Sequence, residues 1–480
     1  MSVNAPGPGA APIAEARDVA RRQARRLSVG VAAALGTAFA LTLVVVFVLL
    51  DYRLGQEPHR LVKILLGGGL AAAVVFIPRL GLFVLPIATP FLAWVPRLPV
   101  PGANVLNLLL LSVFSTWALG RIFARQPIVR RTRLGGVLIF IVVVAALSIV
   151  RGSAFPTGYG YNGLGAVWGL LGSAMTFAIY FLGFWMVRGS RDRRRLTWAI
   201  VIGLFAEATV TIVYGRNGRA GRAVGSFGQP NELGAFLAMF TAFTAAQLPA
   251  ARRWLARLTL SAAVVAGCLG VVMTVSRGAL MALVAALLLV ALRSSRLLSL
   301  VLLLVLVTSP LWVPDYLKER VLGTRVESEN SDEVSLEASA RLRVDTWRAI
   351  LRVVADHPLD GVGFLGLGSV LPETGEALGI EVKDTAHNTY LRFLGEMGLL
   401  GLLLFLWLLW RCWALAREGM RLARERADRQ LALGFAAATL ALAISCAFGD
   451  RFFSILISGN FWLACALVDD LVSERRAEAA

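Results

Sequence analysis

His387 lies where a long polar loop meets an apolar helix, in the run A-H-N-T-Y-L-R-F-L-G-E-M-G-L-L-G at 386–401. It is one of only three histidines in 480 residues. Imidazole titrates closer to neutral pH than any other side chain, so it can accept or donate a proton under physiological conditions. Its position just outside an apolar span predicts proton chemistry at a membrane surface.

A second candidate is the glycine-rich segment 215–231, which contains three evenly spaced arginines. Guanidinium groups bind phosphate oxygens in bidentate fashion, and glycine lets a ligand approach the backbone. Asn231 or Glu232 begins the next helix, whose positive dipole end would face the loop. These features predict an anion site, and the alternative is a flexible loop that contacts lipid headgroups. The three arginines are Arg216, Arg219 and Arg222.

Arg277 stands in the short turn S-R-G at 276–278, between two apolar runs. A cation at the water boundary can bind an anionic ligand. It can also extend its side chain toward lipid headgroups, and the turn alone does not separate these alternatives.

Asn388, Arg392 and Glu396 are further candidates at the start of the next span. Asn388 is a plausible N-cap for that helix. Charged groups within a span are functional candidates by default, and here Arg392 and Glu396 are four residues apart, so they can pair on one helix face. Glu396 is also nine residues beyond His387, on roughly the opposite side of a helix at about 100° per residue. We therefore predict a structural Arg392–Glu396 pair.

The elements that position these residues are apolar helices. The chain is 57% hydrophobic with a mean hydropathy of +0.71, and apolar runs near 20 residues long recur from end to end. This predicts an all-α, polytopic transmembrane bundle of about 14 spans, or about 12 if the second and third are re-entrant. No signal peptide is evident, so the first apolar run is expected to be a retained helix. The predicted parts are an N-terminal tail 1–27, spans 1–11 in 28–313, a long loop 314–388, spans 12–14 in 389–468, and a C-terminal tail 469–480.

The net charge of +18 is mainly a topology signal. With the N-terminus inside, lysine and arginine concentrate in the short segments on the inner side. This predicts that both termini are cytoplasmic and that the loop 314–388 is outside. No nucleic-acid-binding motif accompanies the charge, so nucleic acid is not an expected partner.

The long loop is acidic, and residues 325–338 are polar enough to be disordered. After them, apolar side chains recur at helical spacing, which predicts an amphipathic helix that ends at Asp356 and Pro358. This helix would lie on the membrane or cap a cavity. The face that we predict to be apolar consists of Leu342, Trp347, Ile350, Leu351 and Val354.

The remaining reactive side chains favour structural roles. The cysteines lie within or at the ends of apolar runs without a C-x-x-C spacing, which indicates buried thiols. No histidine or cysteine spacing indicates a metal site, and no cofactor is expected. Asp469 and Asp470 are expected to form a solvated helix end that faces the cytoplasm. The four cysteines are Cys268, Cys412, Cys446 and Cys465.

Several of these motifs together resemble the O-antigen ligase and polymerase superfamily. His387-Asn388 is followed by Leu391, Glu396, Gly398 and Gly401. Three other landmarks occur in the family's order, and the resemblance covers roughly 197–468. They are G-S-F-G-Q-P-N-E-L-G-A-F-L-A at 225–238, S-R-G at 276–278, and the helix R-x-x-x-x-x-W that starts at Arg341 and leads to P-L-D-G-V-G at 358–363.

The resemblance implies a bacterial inner-membrane glycosyltransferase that works outside the membrane without a metal ion and with inversion. It implies that His387 accepts the proton of the acceptor hydroxyl, and that Arg277 with Arg222, or next Arg219, stabilises the leaving diphosphate. Asn388, Glu396, Arg341 and Asn231 would support the site. The implied partners are an undecaprenyl-diphosphate-linked glycan, a glycan or lipid A-core acceptor, the bilayer, and a flippase and chain-length regulator.

Within that family, about 14 spans favour a polymerase of O-antigen or exopolysaccharide over a ligase that attaches finished O-antigen to lipid A-core. A transporter would instead place charged or broken helices near the midplane, whereas the polar residues here gather at the outer boundary. A dolichol-dependent type of transferase would need acidic residues in the first outer loop. Asp51 and Glu57 are found there, but the region otherwise has the composition of a turn at the level of the lipid headgroups.

Overall fold

The computed structural model describes residues 78–94, 105–155, 160–215, 218, 221–294 and 331–480. Within these ranges the secondary structure is helical, without a β-strand. The helices, numbered in chain order, are α1 Pro78–Ala88, α2 Val105–Phe123, α3 Gly135–Ser153, α4 Gly163–Met186, α5 Gly189–Tyr214, α6 Pro230–Gln247, α7 Trp254–Thr274, α8 Arg277–Ser294, α9 Ser331–Asp356, α10 Leu367–Leu378, α11 Thr389–Leu422, α12 Arg426–Cys446 and α13 Ile455–Ala477.

Nine of the described helices, α3 to α8 and α11 to α13, are long and apolar enough to cross a membrane. The prediction of an all-α, multi-pass membrane protein is therefore confirmed. The predicted total of about 14 spans stays a prediction, because several of those spans fall outside the described residues.

The chain divides into two compact units. The first comprises Met1–Val84 and Leu106–Arg130, and its described part holds the start of α1 and nearly all of α2. In the last turn of α2, the Arg121 guanidinium donates to the carbonyl of Pro127, beyond the helix end, at 2.6 and 2.8 Å. The second unit comprises Leu85–Val105 and Arg131–Ala480, and it contains every described residue discussed below.

Three helices form the centre of the second unit. In the most apolar 18-residue stretch of α6 and of α12, 78% is buried inside the protein, and in that of α13 the fraction is 89%. α6 packs against α7, α8 and α12, and α13 packs against α4, α11 and α12. The contact surfaces of α6 and α12 are rich in alanine, glycine and threonine, whose small side chains let helix backbones approach closely. These buried helices are the rigid frame for the loops at their ends.

Helix α11 is broken near its start by Gly398, which has φ 64° and ψ −165°. The P-L-D-G-V-G segment fills the break, because Val362 N–H donates to the Gly395 carbonyl and Gly363 N–H donates to the Glu396 carbonyl, both at 2.9 Å. Only glycine fits here, since a Cβ on Gly398 would overlap the backbone of Leu359 and the positive φ disfavours other residues. The long loop is thereby joined to the first turns of α11.

The amphipathic helix predicted in the long loop is present as α9. Its inner face packs in a hydrophobic cluster with α10, through Ile350 and Val353. Two details of the prediction were wrong: Leu351 is 52% exposed, and the backbone is already helical from Ser331. Residues 331–338 are polar but hold few helix breakers, so the helix extends N-terminally from its anchored half.

The expectation that Asp469 and Asp470 are solvated was wrong, because they are 0% and 3% exposed. Helix α13 does not end at these two residues but continues to Ala477, and cations from other parts of the chain contact it beside them. The Arg193 guanidinium contacts Asp470 at 2.8 Å and Asp428 at 3.1 Å. Tyr180 donates to Asp469 at 2.5 Å. Buried carboxylates are tolerated because they are paired and hydrogen-bonded.

Replacing Arg193 with methionine is expected to destabilise the protein by about 3–5 kcal/mol, because buried carboxylates would lose their cation. Arg193 itself is only 1% exposed. Unfolding of the detergent-solubilised protein measures the effect. Arg194→Met is the matched control, since that neighbour is exposed, and equal stability of both variants would contradict a structural role for the buried cluster.

The cysteines agree with the interpretation as structural thiols. All four are free; Cys412, Cys446 and Cys465 are buried, and Cys268 is partly buried.

Candidate functional site

The backbone at His387 is fixed on both sides. The Trp347 indole donates to the Ala386 carbonyl at 2.9 Å, and the Asn388 side chain caps α11 by accepting from Tyr390 N–H and Leu391 N–H at 3.0 and 3.2 Å. The predicted N-cap is thus confirmed. His387 has a φ of 47°, a left-handed conformation that is uncommon for residues other than glycine and tends to occur at functional sites. Its half-buried imidazole is therefore held at a set place rather than on a free loop.

Charged side chains from three elements surround the imidazole. Burial lowers the pKa of His387 below its usual 6.5, and the nearby Lys383, Arg343 and Arg451 lower it further, while Asp450 opposes them. The Thr385 hydroxyl lies 3.3 Å from Nε2. A lowered pKa keeps the imidazole neutral at neutral pH, which is the form that can accept a proton.

The pH dependence of activity should report this environment. Because the pKa of His387 is lowered, we expect kcat/KM to be constant near neutral pH and to fall as pH drops through a value below 6.5. Lys383→Met removes a cation and should move this acid limb to higher pH, whereas Lys383→Arg keeps the charge and should leave it in place. Identical acid limbs in all three proteins would show that the titrating group is not His387.

Arg222 is held between two helix ends. Its Nε donates to the Thr274 carbonyl at the end of α7 at 2.9 Å, and its Nη2 donates to Asn231 Oδ1 at the start of α6 at 2.8 Å. Ala223 N–H donates to the Met273 carbonyl at 2.9 Å, which fixes the next residue as well. The structure therefore brings together Arg222 and Asn231, two of the predicted site residues.

Arg451 is a further site residue that the sequence did not single out. It lies in the loop between α12 and α13 and is 6% exposed, and its Nη1 is 3.5 Å from Glu232 Oε1. Its backbone N–H donates to the hydroxyl of Thr389, two residues after His387, at 3.2 Å. Glu232 follows Asn231, so Arg451 connects the surroundings of His387 with those of Arg222. The signal in the sequence was G-D-R at 449–451, a charged turn between two apolar runs.

The cations of the site repel one another. Burial lowers the pKa of Arg343, and the charge of Arg451 lowers it further. Burial likewise lowers the pKa of Lys383, and the charge of Arg343 adds to that effect. Within the described residues, the buried Arg343 Nε and Asp450 Oδ1 have no hydrogen-bond partner. An anion bound among these side chains would relieve the repulsion and satisfy a donor.

The other predicted arginines are placed as follows. Arg277 is exposed and begins α8, and the next residue, Gly278, lies against the Phe448 ring, just before the turn that carries Arg451. Arg341 is exposed on α9, and it is Arg343, two residues further on, whose charge acts on His387. Arg219 lies outside the described residues.

Glu396 pairs with Arg392 at 3.1 Å, as predicted from their spacing. The Arg392 guanidinium also lies over the Phe364 and Phe453 rings, at 5.7 and 5.3 Å from their centroids. Glu396 is 3% exposed, and its backbone carbonyl binds the P-L-D-G-V-G segment. The pair therefore stabilises the broken start of α11.

The arrangement can bind a multiply charged anion and accept a proton beside it. Four cationic side chains, Arg222, Arg343, Lys383 and Arg451, come from different parts of the chain, together with the carboxylates of Glu232 and Asp450. In the described part of the chain, no group of three or more histidine, cysteine, aspartate or glutamate side chains could hold a metal ion.

The fold and the site define a multi-pass helical membrane protein with a basic site and one histidine at a span boundary. A protein-family model described as O-antigen ligase matches residues 262–406. This match confirms the resemblance to the O-antigen ligase and polymerase superfamily over those residues. Arg277, Arg343, His387 and Glu396 fall inside the matched segment, and Arg222 and Arg451 fall outside it. No curated protein matches the chain.

Proposed function

We propose that this protein is a membrane glycosyltransferase of cell-surface polysaccharide biosynthesis. It transfers a glycan from an undecaprenyl-diphosphate-linked donor to a hydroxyl of an acceptor sugar. The observation that supports this most directly is the grouping of His387, a base that burial keeps neutral, with cationic side chains suited to a diphosphate. The match to the O-antigen ligase model over 262–406 supports the same substrate class.

In the proposed reaction, the acceptor hydroxyl attacks the anomeric carbon of the donor sugar. A new C–O bond forms as the bond between that carbon and the diphosphate oxygen breaks, so the product has the inverted configuration. His387 takes the proton of the hydroxyl. Undecaprenyl diphosphate leaves with the electron pair of the broken bond, and its added charge requires stabilisation.

The arginines supply that stabilisation. Arg222 is oriented by its bonds to Thr274 and Asn231, so its guanidinium is preorganised. Arg277 starts α8, where the helix dipole also favours an anion. Arg451 is buried, and its Nη1 lies 3.5 Å from the carboxylate of Glu232. Fixed cations of this kind can take the place of a divalent metal ion, and metal independence is therefore part of the proposal.

We assign the reaction to the periplasmic side of a bacterial inner membrane, with both termini in the cytoplasm. This follows from the distribution of lysine and arginine in the short loops, with the segment that contains α9 and α10 outside.

Within the family, a polymerase that elongates lipid-linked repeat units is favoured because of the number of predicted spans. A ligase acting on lipid A-core uses the same donor chemistry, and the description of the matching model favours it.

Glycan analysis in a deletion strain tests the proposal and separates the two activities. Loss of a polymerase leaves single repeat units on the lipid carrier or on the acceptor. Loss of a ligase leaves long chains that are not attached to lipid A-core. An unchanged pattern of surface and lipid-linked glycans would contradict both activities.

A further inference from the structure

A buried carboxyl group of α5, Glu207, lies outside the site and binds the loop that carries Arg222. Glu207 is 0% exposed. Its Oε1 lies 2.9 Å from Ser226 N, and its Oε2 lies 2.6 Å from Ser226 Oγ. Gly225 packs directly on the carboxyl group with a φ of 51°, and a Cβ there would overlap Oε1. Among the described residues, Glu207 forms no ion pair with a lysine, arginine or histidine.

The hydrogen bonds around Ser226 determine where the protons lie. Ser226 Oγ is also 2.7 Å from the Pro90 carbonyl oxygen. A carbonyl can only accept, so the single hydroxyl proton of Ser226 is donated to Pro90. The contact of 2.6 Å between Ser226 Oγ and Glu207 Oε2 then needs a second proton, which only Glu207 can supply. If Glu207 were ionised, two acceptor oxygens would face the hydroxyl and share one proton.

Burial points to the same protonation state. An ionised carboxylate within apolar surroundings is costly unless a cation or several donors compensate it. Here one backbone N–H and one hydroxyl are available. A neutral carboxylic acid satisfies both contacts, because one oxygen accepts from Ser226 N–H and the protonated oxygen donates to Ser226 Oγ.

We infer that Glu207 is a protonated, neutral acid that positions the loop 221–231 and, through it, Arg222 of the diphosphate site. The loop is anchored from one side by Glu207 and from the other by the Met273 and Thr274 carbonyls. Glu207 is a positioning residue and contacts no substrate. The effect on catalysis rests on the proposed function, whereas the protonation state does not.

Two substitutions of Glu207 distinguish a neutral acid from an ionised carboxylate. Glu207→Gln keeps an acceptor for Ser226 N–H and a donor for Ser226 Oγ, so the donor KM and kcat should stay within about threefold of the wild type. Glu207→Leu leaves Ser226 N–H buried without its partner. It should raise the KM for the lipid-linked donor by about 10- to 100-fold, because small displacements of a positioned group have effects of that size. A carboxylate that acted through its negative charge would lose its function in both variants. Activity that is kept in Glu207→Gln and lost in Glu207→Leu therefore indicates a neutral acid.

Infrared difference spectroscopy of the purified protein tests the protonation state without any substrate. The spectrum of the wild type minus that of Glu207→Gln should show the carbonyl band of a protonated carboxylic acid at pH 7. Glu376→Gln is the control, because Glu376 is exposed and its substitution should leave the carbonyl band of Glu207 in place. A carboxylate band in the Glu207 difference spectrum would overturn the inference whatever the activity. If the wild type does not use lipid-linked glycans, the proposed function fails while the infrared result still stands.

Discussion

Replacing His387 with asparagine is expected to reduce glycan transfer by about 10²–10⁴-fold, the usual contribution of a general base. Asparagine tolerates the left-handed backbone that this position requires, with a φ of 47°, so the substitution removes the imidazole with little strain. The acceptor hydroxyl would then lose its proton to water only. The rate of chain elongation in a strain that carries the variant on a plasmid measures the effect.

The matched control for this variant is His357→Asn. His357 lies in the same part of the chain and is 32% exposed, but its Nδ1 contacts Arg151 at 3.2 Å and its ring packs on Phe155. The His357→Asn variant should therefore elongate chains at a rate within a few-fold of the wild type. If both histidine variants elongate chains normally while inserted at equal levels, His387 is not the base.

Replacing Arg222 with lysine is expected to lower kcat/KM by about 10²–10³-fold, as when one preorganised donor to a developing negative charge is removed. The guanidinium is held by a donor bond to the Thr274 carbonyl at 2.9 Å and another to Asn231 at 2.8 Å. Lysine keeps the charge but has a single ammonium group, so it cannot make both bonds and present a second N–H edge to a phosphate. Steady-state kinetics with a lipid-linked donor measure the loss.

Arg348→Lys is the control for this arginine, because Arg348 is 70% exposed on α9 and pairs with Asp345 three residues away. Its variant should behave as the wild type, since exposed pairs contribute little. Equal kinetics of the Arg222 and Arg348 variants would remove Arg222 from the diphosphate site.

Features that depend on local spacing could be predicted from the sequence. The cap at Asn388, the Arg392–Glu396 pair and the amphipathic helix α9 all follow from relations within one or a few helix turns. The candidate histidine was also evident, because a titratable group beside an apolar span is rare. For these features the helix itself brings the residues together.

Features that depend on contacts between distant helices could not be predicted. Asp470 is buried because Arg193, 277 residues away in sequence, pairs with it. Arg451 belongs to the site because the turn between α12 and α13 packs beside α6 and the start of α11. A charge between two spans has the same local signature whether it faces water or a neighbouring helix, so only the packing distinguishes the two.

The break in α11 illustrates a third case. In the sequence Gly398 is only one member of a motif, yet its positive φ lets the P-L-D-G-V-G segment bind the Gly395 and Glu396 carbonyls. Glycine within a span is common and does not by itself indicate a break. The partner segment lies earlier in the chain, and nothing local specifies that the two must pair.

In the proposed reaction, His387 accepts a proton while a diphosphate leaves. Single-turnover reaction of the purified protein in liposomes with an undecaprenyl-diphosphate-linked glycan and an acceptor glycan tests it most directly, with release of undecaprenyl diphosphate as the signal. We predict rapid release by the wild type, and by His387→Asn a release that is about 10²–10⁴-fold slower although donor binding is unchanged. Release at the wild-type rate by His387→Asn would contradict the claim.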